Sequence, residues 1–355
     1  MPALVGLTTT TLGVFALLII IAGWVIYGIF NVVGGRREVG SEIELAPNRR
    51  PYYDDETLEG PRLERVQLLG VILLAITVVA LPLYWIFEPS RQAGAQEGWD
   101  NRFASWGSQL FEPTAEGGFN CAGCHGGMGA VGGEAPFTVT DPVTQEVQAV
   151  NWKAPALNTA MYKFDEDEIR FILNYGRPFS PMSPWGLVGG GPMNTQQIDN
   201  LIAYIKSIQI PRENCGDGED PLVCDSGNLP VAVQEEIQAA AEKAVADGEA
   251  ESLGEALFNL ELGSGAYSCA RCHTLGWSYD KPGVPGQGAY GWNLTGGSVN
   301  AHFQNEDQLI AFIENGSEYG KLYGLNAQGS GRMPGFGTML TDEQIQEIVD
   351  YVRSL

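Results

Sequence analysis

A segment pattern that occurs twice constrains this chain more than any other feature of its sequence. The motif Cys-x-x-Cys-His stands at residues 121–125 and again at residues 269–273, 148 positions later. Each copy ends in a segment with apolar residues at helical spacing, 198–208 in the first and 345–355 in the second, and these lie 147 positions apart. We therefore predict one domain used twice, with loops of different length.

Capping signals predict the helices within each copy. Four pairs of residues have the spacing of a capping box, in which two side chains three positions apart each accept a bond from the other's backbone N–H. These pairs are Asp165 and Glu168, Asn194 and Gln197, Asn305 and Gln308, and Thr341 and Gln344. Neither copy shows a strand pattern, so we predict an all-α fold for both.

Two long uncharged segments near the start of the chain predict membrane spans. Residues 12–33 and 66–87 each form a run of 22 residues without a charged side chain, which is enough for a helix to cross a hydrocarbon core of about 30 Å. A cleaved signal peptide is the alternative for the first segment, but no Lys or Arg precedes it. We predict two transmembrane helices.

The charge of the connecting segment predicts the orientation of these spans. Residues 34–65 carry six arginines, whereas no basic residue precedes the first span. Because arginine-rich connections stay on the cytoplasmic side, we predict a cytoplasmic loop here. Both termini and both copies of the repeat then lie outside the cytoplasm, tethered to the cell membrane.

These signals together give a domain plan. Its parts are a transmembrane hairpin anchor at 1–97, a first domain at 98–210, an acidic linker at 211–250 and a second domain at 251–355. The linker has a turn-forming part followed by an Ala/Glu-rich part that predicts a helix. It also contains Cys215 and Cys224, for which a disulfide is expected outside the cytoplasm, with a pair of free thiols as the alternative.

The two Cys-x-x-Cys-His motifs match the attachment signature of a c-type haem. The residues concerned are Cys121, Cys124 and His125, and Cys269, Cys272 and His273. Two residues between the thiols let both sulfurs reach the vinyl groups of one porphyrin within a single helical turn. The adjacent imidazole then faces the iron, so the motifs predict two covalently bound haem c groups.

Other uses of Cys-x-x-Cys pairs fit this sequence less well. Two pairs that ligate one zinc ion lie about 15–20 residues apart in zinc ribbons, whereas these pairs lie 148 residues apart. A thioredoxin-like dithiol needs a βαβ context, which the sequence does not show.

A methionine in a proline-containing loop is the predicted distal ligand of each iron. Met182 follows His125 by 57 positions and Met333 follows His273 by 60, and each precedes the last helix of its copy. A stiff loop can hold a thioether on the iron, although methionine also fills gaps in hydrophobic cores. Met193 remains the alternative ligand in the first copy.

With these residues in view, each copy resembles a class I cytochrome c domain. In that family a glycine and an aromatic residue on the first helix pack against an aromatic residue on the last. The matching residues are Gly107, Phe111 and Tyr204, and Gly254, Phe258 and Tyr351. The resemblance covers residues 98–210 and 251–355.

Two membrane spans before two such domains resemble the diheme subunit of cbb-type haem-copper oxidases and the diheme c subunits of actinobacterial quinol–cytochrome c reductases. The resemblance implies an electron relay from a quinol-oxidising bc-type module toward a terminal oxidase, with a cytochrome b or an oxidase subunit as membrane partner. It implies no catalytic residue in this chain. A diheme peroxidase is the alternative from another class, but the spare histidine, His302, is expected at the surface.

The charge of the chain bears on its partners. Its 20 basic and 43 acidic residues give a formal net charge of −23, which repels phosphate backbones and excludes nucleic acid. Residues 88–355 carry 14 basic and 35 acidic residues. Such a surface either keeps the domains soluble or attracts a basic redox carrier, soluble or membrane-bound.

Overall fold

The computed structural model describes residues 9–38, 61–140, 144–177, 180–224, 226–261, 268–318 and 332–355. The chain divides into two compact units, Met1–Trp99 and Asp100–Leu355. Both copies of the repeat lie in the second unit, apart from the first residues assigned to the first domain.

Two long helices form the described part of the first unit, α1 (Thr9–Glu38) and α2 (Pro61–Phe111), and α2 continues into the second unit. Both are long and apolar enough to cross a membrane, judged by length and composition. Their apolar side chains are mostly exposed, and Phe30 reaches an exposed fraction of 72%. A water-facing surface does not normally carry so large an apolar area, and the predicted spans 12–33 and 66–87 fall inside these helices.

The connection between the two helices bears on the predicted orientation. Residues 39–60 lie outside the described residues, so the cytoplasmic loop stays a prediction. Within the first unit α1 contacts α2 at Gly13, where an added Cβ would stand 2.9 Å from Cγ1 of Ile86. Although α2 contains Pro82 and Pro89, it runs unbroken past the predicted end of the second span.

After α2 the described residues of the first copy form short helices and one β-hairpin. These elements are α3 (Cys121–His125), β1 (Gly133–Thr140), β2 (Val147–Ala154), α4 (Ala160–Lys163), α5 (Glu166–Tyr175) and α6 (Thr195–Ser207).

The linker helix comes next along the chain, followed by the helices of the second copy. Their elements are α7 (Val231–Ala246), α8 (Leu253–Asn259), α9 (Ala270–His273), α10 (Ser298–His302), α11 (Glu306–Asn315) and α12 (Asp342–Ser354). Helix α7 confirms the helix predicted in the linker. Its Ile237 and Ala241 are fully buried in the hydrophobic core of the second copy, so α7 packs as part of that domain.

The hairpin corrects the prediction of an all-α fold, although the chain is mostly helical. Strands β1 and β2 pair antiparallel, with Gly133 opposite Ala154. The sequence showed no strand pattern because both segments mix small and polar residues and bury few large side chains. Trp152 of β2 contacts Tyr279 of the second copy, with ring centroids 5.4 Å apart, so packing distant in sequence supports strands that local preference does not specify.

Three of the four predicted capping boxes form, at Asp165, Asn194 and Thr341. The fourth prediction was wrong. Asn305 does cap α11, but its side chain accepts from the N–H of Asp307 at 3.0 Å. The N–H of Gln308 bonds instead to the backbone carbonyl of Asn305 at 3.2 Å, so the reciprocal pairing is not made.

The first and last helices of each copy cross at a glycine. A Cβ added to Gly107 would stand 1.9 Å from the carbonyl oxygen of Asn200, and one added to Gly254 would stand 2.0 Å from that of Glu347. The backbones therefore approach each other more closely than any side chain would allow.

Aromatic residues pack beside both crossings. Phe111 contacts Tyr204 with ring centroids 5.1 Å apart, and Phe258 contacts Tyr351 at 5.4 Å. Phe111 and Phe258 are each 1% exposed and lie in separate hydrophobic cores, one for each copy. The helix contacts that the resemblance implied are thus present in both copies.

A disulfide and the contacts of one arginine hold the first part of the linker against the first copy. Cys215 and Cys224 form a disulfide with Cα atoms 5.8 Å apart. The guanidinium of Arg212 lies over the ring of Tyr162, 4.4 Å from its centroid, and donates to the carbonyl of Met161 at 2.6 Å. These contacts tie the acidic turn to the first copy.

Candidate haem sites

The histidine of each motif is oriented by a backbone carbonyl. His125 Nδ1 lies 2.8 Å from the Pro155 oxygen, and His273 Nδ1 lies 2.8 Å from the Trp292 oxygen. Since a carbonyl only accepts, Nδ1 carries the proton and Nε2 keeps the lone pair that a metal needs. In the part of the chain that the structure describes, neither Nε2 makes a hydrogen bond. Burial lowers the pKa of both imidazoles, which also favours the neutral form that binds metal.

The motif cysteines do not behave as a reactive dithiol. None of the four forms a disulfide. Burial raises the pKa of Cys121 to about 11 and that of Cys269 to about 12. Redox-active Cys-x-x-Cys pairs work through a lowered thiol pKa, so the thioredoxin-like alternative has the wrong electrostatics. Among the described residues no group of three or more His, Cys, Asp or Glu is placed to hold a metal ion.

The second motif has charged side chains of the first copy around it. Although Cys272 is solvent exposed, burial raises the pKa of its thiol, opposed by the nearby positive charges of Arg177, Arg271 and Lys163. Because Arg177 and Lys163 belong to the first copy, both domains contribute to the surroundings of this motif.

The two loop methionines occupy equivalent places in the two copies. The carbonyl of Met182 accepts from the N–H of Arg177 at 2.8 Å, and the carbonyl of Met333 accepts from the N–H of Ser317 at 2.9 Å. The donor follows a glycine in each case, Gly176 or Gly316, with φ of 71° and 73°. A Cβ on either glycine would stand 2.4 Å from the methionine oxygen, so the same tight turn supports both loops.

The other methionine of each pair is a core residue. Met193 and Met339 are 0% exposed, whereas Met182 and Met333 are half-buried and pack only against the edge of their cores. Full burial fits the gap-filling role of methionine. Partial burial leaves part of the Met182 and Met333 side chains accessible to a group bound beside them.

These donor sets fit a covalently bound haem. Each motif places two thiols and a histidine within five residues, all on α3 in the first copy, and on α9 and its N-cap residue Cys269 in the second. The Nδ1 of the histidine is hydrogen-bonded, its Nε2 has no partner among the described residues, and each copy offers a partly exposed loop methionine. That combination supplies two attachment points, a nitrogen ligand and a sulfur ligand of the kind c-type haem uses.

Comparison with known families agrees with this reading. A model described as cytochrome c matches residues 104–209, and a model described as cytochrome c oxidase, cbb3-type, subunit III, matches residues 254–352. No curated protein and no solved structure matches the chain. The chain is therefore a c-type cytochrome with its domains in tandem, as the resemblance implied. Its cofactor is covalently bound haem c, and its activity is electron transfer.

Sequence reasoning missed the carbonyl groups that orient the histidines. No local pattern marks these carbonyl groups, because Pro155 and Trp292 lie 30 and 19 positions after the histidines that they orient. The expectation for His302 agrees with the structure, which places this residue at the end of α10 with an exposed side chain. Its ring contacts Trp292 at a centroid distance of 4.8 Å.

A substitution at Gly291 tests how closely the His273 ring is held. A Cβ at residue 291 would stand 2.6 Å from Cε1 and 2.7 Å from Nδ1 of His273. We expect Gly291→Ala to tilt the imidazole, shift the midpoint potential of one haem signal and lower stability by roughly 1–3 kcal/mol. Potentiometric titration and thermal unfolding measure both effects.

Gly129→Ala is the matched control for this substitution, because the nearest atom to its added Cβ is Cγ1 of Val131 at an ordinary 3.6 Å. If Gly291→Ala and Gly129→Ala gave the same potentials and the same unfolding temperature, close packing of Gly291 against His273 would affect neither the haem potential nor the stability.

Proposed function

We propose that the chain carries two haem c groups, each with histidine and methionine as axial ligands, and relays electrons outside the cytoplasm. The ligands are His125 with Met182 in the first domain and His273 with Met333 in the second. The observation that carries the proposal is the repeated geometry, in which both domains combine a carbonyl-oriented histidine with an accessible methionine held by the same glycine turn.

Histidine and methionine together suit a relay better than a catalyst. Haem c supplies an iron that exchanges one electron between its ferrous and ferric states. A haem iron held by a histidine and a methionine would have a raised potential and no ligand position left for oxygen or peroxide. The protein's contribution is to orient the imidazole through Nδ1, hold the thioether in a stiff loop and keep water away with the two hydrophobic cores.

We place the chain between a quinol-oxidising bc-type module and a terminal oxidase. In this proposal α1 and α2 anchor it in the membrane, the segment between them is cytoplasmic, and both domains are outside. The predicted spans contain no histidine and no charged residue, so they offer no ligand for a b-type haem. They dock against an integral membrane partner, a cytochrome b or an oxidase subunit, while the acidic surface steers a basic redox carrier.

A second candidate is the diheme c subunit of a cbb-type oxidase. The match of residues 254–352 to the model described as cbb3-type subunit III favours it. In both candidates the chain passes electrons and carries no catalytic residue.

The peroxidase-type alternative is less well supported. It needs a catalytic group on the distal side of one iron. His302 packs against Trp292, whose carbonyl orients the proximal His273. His302 therefore lies near the proximal histidine, His273, and not on the distal side where a catalytic group would be needed.

The proposal is tested by purifying the protein in mild detergent with its associated subunits and recording a pyridine haemochrome spectrum. We expect two haem c per chain. Haem b in the same preparation supports a quinol reductase or a cbb-type oxidase, and subunit masses separate these two. Haem c at one per chain, or a ferric haem that lacks the methionine-to-iron absorption band and binds peroxide, would contradict the two-haem relay.

A further inference from the structure

Arg332, the residue before Met333 in the second domain, binds residues of the first domain. Arg332 donates through Nε and Nη2 to the two carboxylate oxygens of Glu168, at 2.5 Å and 2.9 Å. Its Nη2 also donates to the carbonyl of Lys163 at 3.0 Å. The side chains of Glu168 and Arg332 are 6% and 21% exposed. A two-pronged ion pair shielded from water in this way fixes both the position and the direction of the guanidinium.

The methionine loop is tied to the same guanidinium from the other side. Arg332 Nη1 lies 3.5 Å from the carbonyl of Ser317 and donates to it. The hydroxyl of Ser317 accepts from the N–H of Met333 at 2.9 Å, and the N–H of Ser317 donates to the Met333 carbonyl at 2.9 Å. Ser317 is 4% exposed. The backbone of Met333 is thus held by a buried serine that in turn contacts the arginine.

The described residues of the first domain show no counterpart of this arrangement. Pro181 stands before Met182, where the second domain has Arg332, and proline has no side-chain donor. The N–H of Met182 is held by its own loop, since Ser180 Oγ accepts from it at 3.2 Å. Among the described residues, the ion pair between the domains therefore positions the loop of Met333 and not that of Met182.

A second contact fastens the same two domains at the attachment motif. Arg271, between Cys269 and Cys272, donates to the carbonyl of Lys153 in strand β2. Lys153 Nζ in turn lies 3.2 Å from a carboxylate oxygen of Glu261 in the second domain. Both the attachment motif and the distal loop of the second domain thus contact the first domain.

We propose that Glu168 of the first domain is a positioning residue for the second haem, because it fixes Arg332 and through it the Met333 loop. The proposal rests on the function proposed above, in which Met333 is the distal ligand. The second site is complete only when the first domain is in place, and the first site does not depend on the second in this way.

Glu168→Gln tests this in the haem-loaded full chain. Glutamine can still accept from the N–H of Asp165 and so keeps the capping box of α5, but it lacks the charge that holds Arg332. The probe is imidazole, which competes with methionine for ferric iron. We expect its affinity for the second-domain haem to rise roughly tenfold, because the methionine-bound state becomes less populated. The methionine-to-iron absorption band of that haem should weaken and its potential should fall.

Glu166→Gln is the matched control, two positions away on the same helix. Glu166 pairs with Arg170 at 3.0 Å and Lys206 at 2.9 Å, both within the first domain. We expect this variant to leave imidazole affinity at both haems unchanged. Equal affinities in Glu166→Gln and Glu168→Gln, or an equal rise at both haems of Glu168→Gln, would overturn the proposal.

Two further variants separate positioning from stability. Glu168→Gln combined with Arg332→Gln removes the buried unpaired charge, so we expect the unfolding temperature to recover while imidazole affinity stays raised. Arg332→Lys keeps the charge without the two-pronged geometry, and an intermediate affinity is expected. If affinity recovered together with stability in the double variant, the ion pair would be structural only.

Met333→Ala identifies which signal belongs to the second domain. If Met333→Ala changed neither haem, the axial assignment and the proposed function would fail. If it changed one haem and Glu168→Gln did not, the positioning role alone would fail.

Discussion

Met333→Ala should lower the midpoint potential of one haem by roughly 0.2 V, a quarter of the range of about 0.8 V over which axial ligands move haem potentials. The thioether stabilises the ferrous state, and alanine offers no replacement. The half-buried loop that carries Met333 is held through its backbone by Ser317, so the loop should keep its place. The methionine-to-iron absorption band of that haem should disappear. Redox titration and absorption spectroscopy measure both changes.

Met339, the other methionine before the last helix of the second domain, provides the control for this experiment. Met339 is 0% exposed and lies in the hydrophobic core, so Met339→Ala should cost about 2–5 kcal/mol of unfolding free energy. Its haem potentials and absorption band should stay unchanged. The same pair of variants at Met182 and Met193 tests the first domain. A lost band in Met339→Ala with a retained band in Met333→Ala would reverse the assignment.

Gly107→Ala should strongly destabilise the first domain. Its Cβ would stand 1.9 Å from the carbonyl oxygen of Asn200 and 2.7 Å from Cβ of Tyr204. Both obstacles are backbone or next to it, so no flexible side chain can move aside and α2 must separate from α6. We expect a loss of about 3 kcal/mol, at the upper end of the range for overpacked cores, measured by thermal or denaturant unfolding.

Gly98→Ala on the same helix is the matched control. An added Cβ at residue 98 meets no atom within 4 Å, so the variant should gain up to about 1 kcal/mol from the better helix propensity of alanine. If Gly107→Ala unfolded no more easily than Gly98→Ala, the close helix crossing in the first domain would not be required for stability.

Much of the site was readable from local spacing. The two Cys-x-x-Cys-His motifs, the first-helix glycines and aromatics, and three of the four capping boxes depend on residues at most five positions apart. Such short-range patterns carry their geometry with them, because a helix turn alone brings their members together. The exception was Asn305, where a backbone carbonyl took the N–H that the capping pattern assigned to the side chain.

The hairpin and the choice between methionines needed contacts that spacing does not encode. Strand β2 packs through Trp152 against Tyr279, 127 positions away. Met182 and Met193 both precede α6, and only their burial separates a loop residue from a core residue. Burial depends on which segments fold over a side chain, and the same residue type serves both roles.

The sequence by itself determined the duplicated domain, the haem-attachment chemistry and the apolar helices, because each rests on repeated or contiguous residues. The tertiary structure alone decided that the first domain contributes to the surroundings of the second motif. Glu168 and Arg332 are 164 positions apart; the sequence indicates only a helix-capping role for Glu168 and an ordinary surface charge at Arg332. Folding removes them from water and leaves each as the other's counter-charge, a relation that exists only once both domains have packed.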